Sequence, residues 1–258
     1  MISQDLAQSQ WQQWLQTFAI QLDSPLQAKR FYRAFRTKAQ PVLLGCEDGK
    51  DYIVKGRQAG RQIVNDQIVA RLGLVLGAPV GDPVLVEIAP ELIEIEPKLE
   101  YIAPGVAHGT RYIPNCFDQV TLIATSEPAN RSRLIRLALL YGWTCAKDHQ
   151  FLFNTTPPRL IHSVDHGHFF PNGPNWSSQD LNSAPPSILD PYFADCQFTS
   201  HEIEEGRRVL EQITLAEIVR AVAHPPDQWG ITVSERVAMV RYLDRQKQNL
   251  LSTLSASS

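Results

Sequence analysis

Between Tyr141 and Pro171 the chain reads YGWTCAKDHQFLFNTTPPRLIHSVDHGHFFP, which gathers four of its seven histidines and two acids in apolar settings. Asp148 follows an apolar run, and Asp165 closes the run Leu160-Ile161-His162-Ser163-Val164. A carboxylate at the end of a buried strand is costly unless a metal, a base or a donor satisfies it. The Thr155-Thr156-Pro157-Pro158 turn between the two acids suggests a loop, a strand and a loop that bring both to one place. With His149, His162, His166 and His168, these acids could hold Zn²⁺, Mn²⁺ or Fe²⁺ for metal-assisted hydrolysis. A second candidate group is Lys55. It ends an apolar strand and shares a face with Ile53, so it is half buried; such a lysine either snorkels or meets phosphate as a point charge.

Several elements must position these residues. Pro41 to Cys46 and Asp51 to Lys55 read as two strands joined by Glu47-Asp48-Gly49-Lys50, where Asp-Gly suits a tight hairpin. The spacing of Ile63, Val64, Ile68, Leu72 and Val75 predicts a helix over 61–76, carrying Asp66 and ended by Gly77 and Pro79. Val84 to Ile88 is β-branched and strand-like. Residues 90–118, with three prolines before Gly105, read as loop and short strand and as a boundary between lobes. A second helix, Arg131 to Cys145, is apolar nearly all round, which argues for burial. It runs directly into Lys147-Asp148. Residues 171–190 are polar and loop-like. Further helices follow from Ser200, read as a cap with Glu204 nearby, and over Ser234 to Leu254.

At the front, Leu6, Trp11, Trp14, Leu15 and Phe18 predict an amphipathic helix that docks on the body. The basic and aromatic residues between Lys29 and Lys38 could stack on single-stranded nucleic acid, but their alternation reads better as an amphipathic strand. The composition is that of a soluble globular chain: 258 residues, 43% hydrophobic, 20% charged, net charge -3. This gives no global field for nucleic acid or an anionic membrane, and no run approaches the roughly 20 apolar residues of a membrane span. Four scattered cysteines without a C-x-x-C pair, and no secretory signal, fit a reducing cytoplasmic setting.

Taken in order, PVLLGCEDGKDYIVKG, IVNDQIVARLGLVLGAPVGDPVLVEI, KDHQFLFN, VDHGHFF and the tail PPDQWGITVSERVAMVRYLDRQKQNL resemble a HipA-like kinase domain, over about residues 37–250. The resemblance implies an α+β, two-lobed, protein-kinase-like fold with a small sheet-containing N-lobe and a mainly helical C-lobe. It also implies ATP and Mg²⁺ as cofactors, and transfer of the γ-phosphoryl group to a Ser or Thr hydroxyl of a protein. By position, Lys55 matches the phosphate-binding lysine, Asp66 its helix partner, Asp148 the catalytic base and Asp165 the metal-binding aspartate, with Asn154 as second metal ligand. The expected divisions are a helix and connection over 1–36, the N-lobe over 37–113, the C-lobe over 114–254 and a disordered tail over 255–258.

The chain departs from the pattern. Phe153 stands five residues after Asp148, where asparagine is usual. The helix acid is aspartate, Lys147 replaces an arginine, and no glycine-rich loop is present, leaving Gly45, Gly49, Gly56 and Gly60 to serve. Phe153 favours a second reading, a pseudokinase that binds nucleotide, or a partner through Trp176 and the N-terminal helix. The protein substrate, the oligomeric state and any toxin–antitoxin context are not written in the sequence.

Overall fold

The computed structural model describes residues 8–19 and 24–256; Leu6 and the last two serines, on which sequence expectations fell, lie outside these. After α1 (Gln8–Ala19) come β1 (Leu26–Ala34), β2 (Val42–Cys46), β3 (Asp51–Lys55), α2 (Gln62–Leu76), β4 (Pro83–Ile88), α3 (Pro90–Ile95) and β5 (Gly105–Arg111). The five strands close into a barrel in the order β1-β2-β3-β5-β4. The period-two alternation of the β2–β3 hairpin sends Val42, Leu44, Tyr52 and Val54 into a small core of their own, with Val86, Ile88 and Ala107. The opposite face of β3 therefore presents Ile53 and Lys55 away from that core.

The amphipathic strand expected within Lys29 to Lys38 is present as β1, which begins earlier, at Leu26, and pairs with β2 and, through Leu26 and Gln27, with β4 to close the barrel. β5, a short strand within 90–118, pairs with both β3 and β4 and ends ahead of the division expected after residue 113.

The second half holds β6 (Cys116–Gln119), α4 (Pro128–Thr144), β7 (Phe151–Asn154), β8 (Ile161–Ser163), α5 (Ser178–Ser183), α6 (Ser200–Gln212), α7 (Leu215–Ala223) and α8 (Val233–Ala256). β6, β7 and β8 form a three-stranded antiparallel sheet. The axis of this lobe is α4, whose Leu134, Leu137, Leu139, Leu140, Tyr141 and Trp143 are fully buried. Side chains of this size contribute about 1.5–3 kcal/mol each on burial. The same core takes in α2, although α2 follows the barrel hairpin in sequence. It also takes Trp11 and Leu15 of α1, which docks on α7 as expected.

α6 is capped by Thr199 rather than Ser200, in a reciprocal pair with Glu202. The 171–190 segment includes the short helix α5. Residues 255 and 256, expected in a disordered tail, end α8. No helix among the described residues is long and apolar enough to cross a membrane.

Candidate active site

Lys55, Asp66 and Asp165, from three separate elements, meet at the junction of the lobes. Lys55 ends β3 on its outward face, opposite α2, and is only 5% exposed. Its Nζ donates to Asp66 Oδ2 at 2.9 Å and to Asp165 Oδ1 at 2.6 Å. Burial alone would depress the ammonium, but the charges of Asp66 and Asp165 outweigh it and hold its pKa above the ordinary lysine value. Asp66 is buried, whereas the Asp165 side chain is one-third exposed. One cation faces two carboxylates, so the trio carries net negative charge with its open side at Asp165. That is a donor set for a further cation of the hard, oxygen-seeking kind.

Asp165 is held in the left-handed backbone region, φ 58°, which costs a non-glycine residue roughly 1–2 kcal/mol. Its surroundings fix that conformation. Asn65 of α2 donates from Nδ2 to the carbonyls of Gly167 and Phe169, and its Oδ1 accepts from the Trp176 indole. His166 hydrogen-bonds Ser163, which in turn hydrogen-bonds Tyr141 of α4. Burial, with Lys55 nearby, pushes His166 down to about 4 despite the opposing carboxylates, so the ring is neutral near pH 7. Behind Lys55, His108 of β5 donates from Nδ1 to Gln67 Oε1, and Gln67 Nε2 donates to His224 Nδ1. Burial and the Lys55 charge keep His108 well below its usual value. This chain joins the barrel, α2 and the end of α7 through one buried glutamine.

The trio opens on a cleft of about 530 Å³ between barrel and helical lobe. Ile53 lies on the barrel side; Leu152 and Val164 lie on the β7–β8 side, with Tyr112 and Ile113 where the chain leaves β5. Oxygen donors from Asp118 and Gln150 share the cleft with Asp165. Its outer rim is the β1–β2 loop, through Phe35, Thr37 and Pro41. That loop contains no glycine. It is braced by Gln58, whose Nε2 donates to the carbonyls of Ala39 and Gln40. Sequence reading missed its place at the cleft because the resemblance directs the search to glycine-rich loops, and this one has none.

The other expected residues are placed differently. Asp148 is exposed rather than in an apolar setting, and its Oδ1 accepts the His149 amide at 2.9 Å. In the chain it stands between Lys147 and Gln150, of which Gln150 lines the cleft. Asn154 does not line it; its Oδ1 lies 3.1 Å from His162 Nε2. Strand alternation in β7 sends Phe151 and Phe153 into the core. The histidines do not converge: His149 pairs with Asp190, His162 with Asn154, and His166 with Ser163. Among the described residues no three His, Cys, Asp or Glu side chains could hold a metal by themselves, which removes the basis of the hydrolase reading. Trp176 is buried, with Arg61 stacked on its ring.

A model of the HipA-like kinase family matches residues 31–166, a little over half of the chain. The chain belongs to the HipA-like kinase family. The match begins in β1 and ends one residue past Asp165, so it spans Lys55, Asp66 and Asp148 as well. A search of the curated proteins finds no match. Among solved structures, the Helicobacter pylori proinflammatory kinase CtkA superposes with a TM-score of 0.61 at 10% identity, over 91% of this chain and 97% of that one. The Golgi casein kinase gives 0.51 at 12% identity, over 95% and 77%. Its form with Mn/ADP bound gives 0.50 at 13% identity, over 97% and 78%. At these identities the likeness is one of fold, and it agrees with the two-lobed α+β architecture. Family and fold together make this a kinase-like protein.

Proposed function

We propose that this HipA-like kinase transfers the γ-phosphoryl group of ATP to a Ser or Thr hydroxyl of a protein. The observation that supports it most is Lys55 bridging Asp66 and Asp165 at the mouth of a cleft with apolar walls. The lysine ammonium has three N–H donors; two are spent on the carboxylates, which leaves one for a phosphate oxygen. Ile53, Leu152 and Val164 offer flat apolar contact for the base, and 530 Å³ is ample for a nucleotide.

Asp165 would hold Mg²⁺, with the amide oxygen of Gln150 as a further ligand in place of Asn154. Bound there, the ion would neutralise phosphate charge, and the nucleotide phosphates would complete its shell. In the reaction the bond from the γ-phosphorus to the β–γ bridging oxygen breaks, and its electron pair leaves on ADP. A new bond forms from the phosphorus to the acceptor oxygen. The acceptor's proton passes to a carboxylate oxygen of Asp148, whose exposure leaves it open to an incoming protein. The four free thiols fit a cytoplasmic enzyme.

Calorimetric titration with ATP tests the nucleotide site. Binding is expected to strengthen with Mg²⁺ in the wild type and to lose that dependence in Asp165→Asn. Equal binding with and without Mg²⁺ in both proteins would overturn the assignment. A second reading, nucleotide binding without transfer, rests on the buried Phe153 ring where a metal-binding asparagine is usual. Mg-dependent binding with no phosphorylated product would favour it.

A further inference from the structure

Beside the nucleotide cleft lies a second cavity of about 570 Å³ whose lining shares no residue with it. Lys38, Arg61, Lys147 and His168 line it, together with the amides Gln58 and Asn175; no carboxylate does. This concentration of cations runs against the chain's net charge of -3.

The cations are largely uncommitted. Among the described residues Lys38 and Lys147 make no ion pair or side-chain hydrogen bond. Arg61 gives Nη1 to Glu235 at 2.6 Å and stacks on Trp176, but its Nε and Nη2 are shielded from water and meet no acceptor. Such donors cost stability unless something accepts from them. Counting Glu235 against Lys38, Arg61 and Lys147 alone, the cavity is positive by two charges. α2 also begins at its edge without a side-chain cap, which adds the positive end of a helix.

The cavity's place says what it would hold. Lys147 immediately precedes Asp148, and His168 follows Asp165 by three residues. Lys38 belongs to the loop whose other residues rim the nucleotide cleft. The cavity thus adjoins the segments that flank the proposed base and metal aspartates, without being part of the nucleotide's own walls. We propose that it is an acceptor subsite: it takes a carboxylate or phosphate group on the protein segment that carries the target hydroxyl. This rests on the kinase reading given above and deepens it, naming an acidic segment as the substrate class.

Two measurements test it separately from that reading. The first is calorimetric binding, without nucleotide, of a Ser peptide flanked by glutamates, its Gln-for-Glu counterpart and a form with phosphoserine in the flank. The second is phosphate transfer from ATP to the same peptides. The wild type is expected to bind and phosphorylate an anionic peptide in preference to the glutamine one, with the preference shrinking as salt rises. Preference for glutamate over phosphoserine, or the reverse, identifies which anion the site takes. Charge reversal in Lys38→Glu/Lys147→Glu is expected to raise KM for the anionic peptide roughly tenfold or more, with ATP affinity held. Arg61→Gln should act the same way, more weakly.

Anionic and glutamine peptides bound and used equally would overturn the proposal. So would inorganic phosphate binding at the site with no peptide binding, or charge reversal that weakens ATP as much as peptide. Selective binding of the anionic peptide with no transfer to any peptide would leave the subsite standing and remove the protein-kinase reading.

Discussion

Replacing Lys55 by Met separates what the lysine does for the fold from what it does for the nucleotide. The side chains of Lys55 and Asp66 are 6% and 4% exposed, and their atoms are 2.9 Å apart. Removing the cation leaves the Asp66 carboxylate buried and uncompensated, a change that costs about 3–5 kcal/mol in comparable pairs. Asp165 adds little to that cost, because its side chain is 34% exposed and water can replace the lysine. For a chain of this size the loss amounts to a drop in Tm of roughly 6–20 °C. Replacing both members, Lys55→Met with Asp66→Leu, removes the stranded charge and should return stability to within about 1 kcal/mol of wild type. ATP binding should not return. The lost charge-assisted bond to phosphate is worth about 1.5–3 kcal/mol, or roughly 10- to 150-fold in Kd. Denaturant unfolding and calorimetric ATP titration on the three proteins supply the numbers. A double variant as unstable as the single one would refute the stranded-carboxylate account. A single variant with unchanged ATP affinity would refute the phosphate role.

Other outcomes follow from the same geometry. Gly142 of α4 packs so tightly against the Ile188 carbonyl that an added Cβ would lie 2.0 Å from it. Gly142→Ala should therefore cost about 1–3 kcal/mol, read from the denaturation midpoint. His166 is buried neutral, its pKa lowered from 6.5 to about 4. The unfolded chain thus takes up the proton first as pH falls, and stability declines between pH 6.5 and 4 by about 3 kcal/mol from this group. His166→Asn should flatten that part of a Tm-against-pH curve. Gln150→Ala should weaken Mg-dependent ATP binding roughly two- to tenfold, while Asn154→Ala leaves it unchanged in the same titration.

The sequence held the core of the site in legible form because each part has a local signature. The hairpin turn at Asp48-Gly49 sets the register of β3 and so the outward face of Lys55. The apolar period of α2 brings Asp66 to meet it. The turn after Val164 marks Asp165. The pattern failed where tertiary context decides. The alternation of bases and aromatics after Lys29 reads as a strand, but its start at Leu26 and its pairing with β4, which closes the barrel, are not written locally. Asn154 is a plausible ligand by type and shares the outward face of β7 with Leu152, but it stands at the far end of that strand, where its Oδ1 meets His162 instead of the cleft. Gln67 and His108 are unremarkable in sequence, 41 residues apart, and meet only because α2 packs on β5. The basic cavity draws on four separate stretches of chain, so no single stretch announces it.

The central claim is that this site moves a phosphoryl group. Incubation with γ-labelled ATP, Mg²⁺ and Ser- and Thr-containing peptides, followed by mass spectrometry of the peptides and of the protein itself, addresses it directly. Label is expected on Ser or Thr hydroxyls, with the rate lowered about 10²- to 10⁴-fold in Asp148→Asn while that variant still binds ATP. No labelled product from the wild type, or equal labelling by wild type and Asp148→Asn, would contradict it.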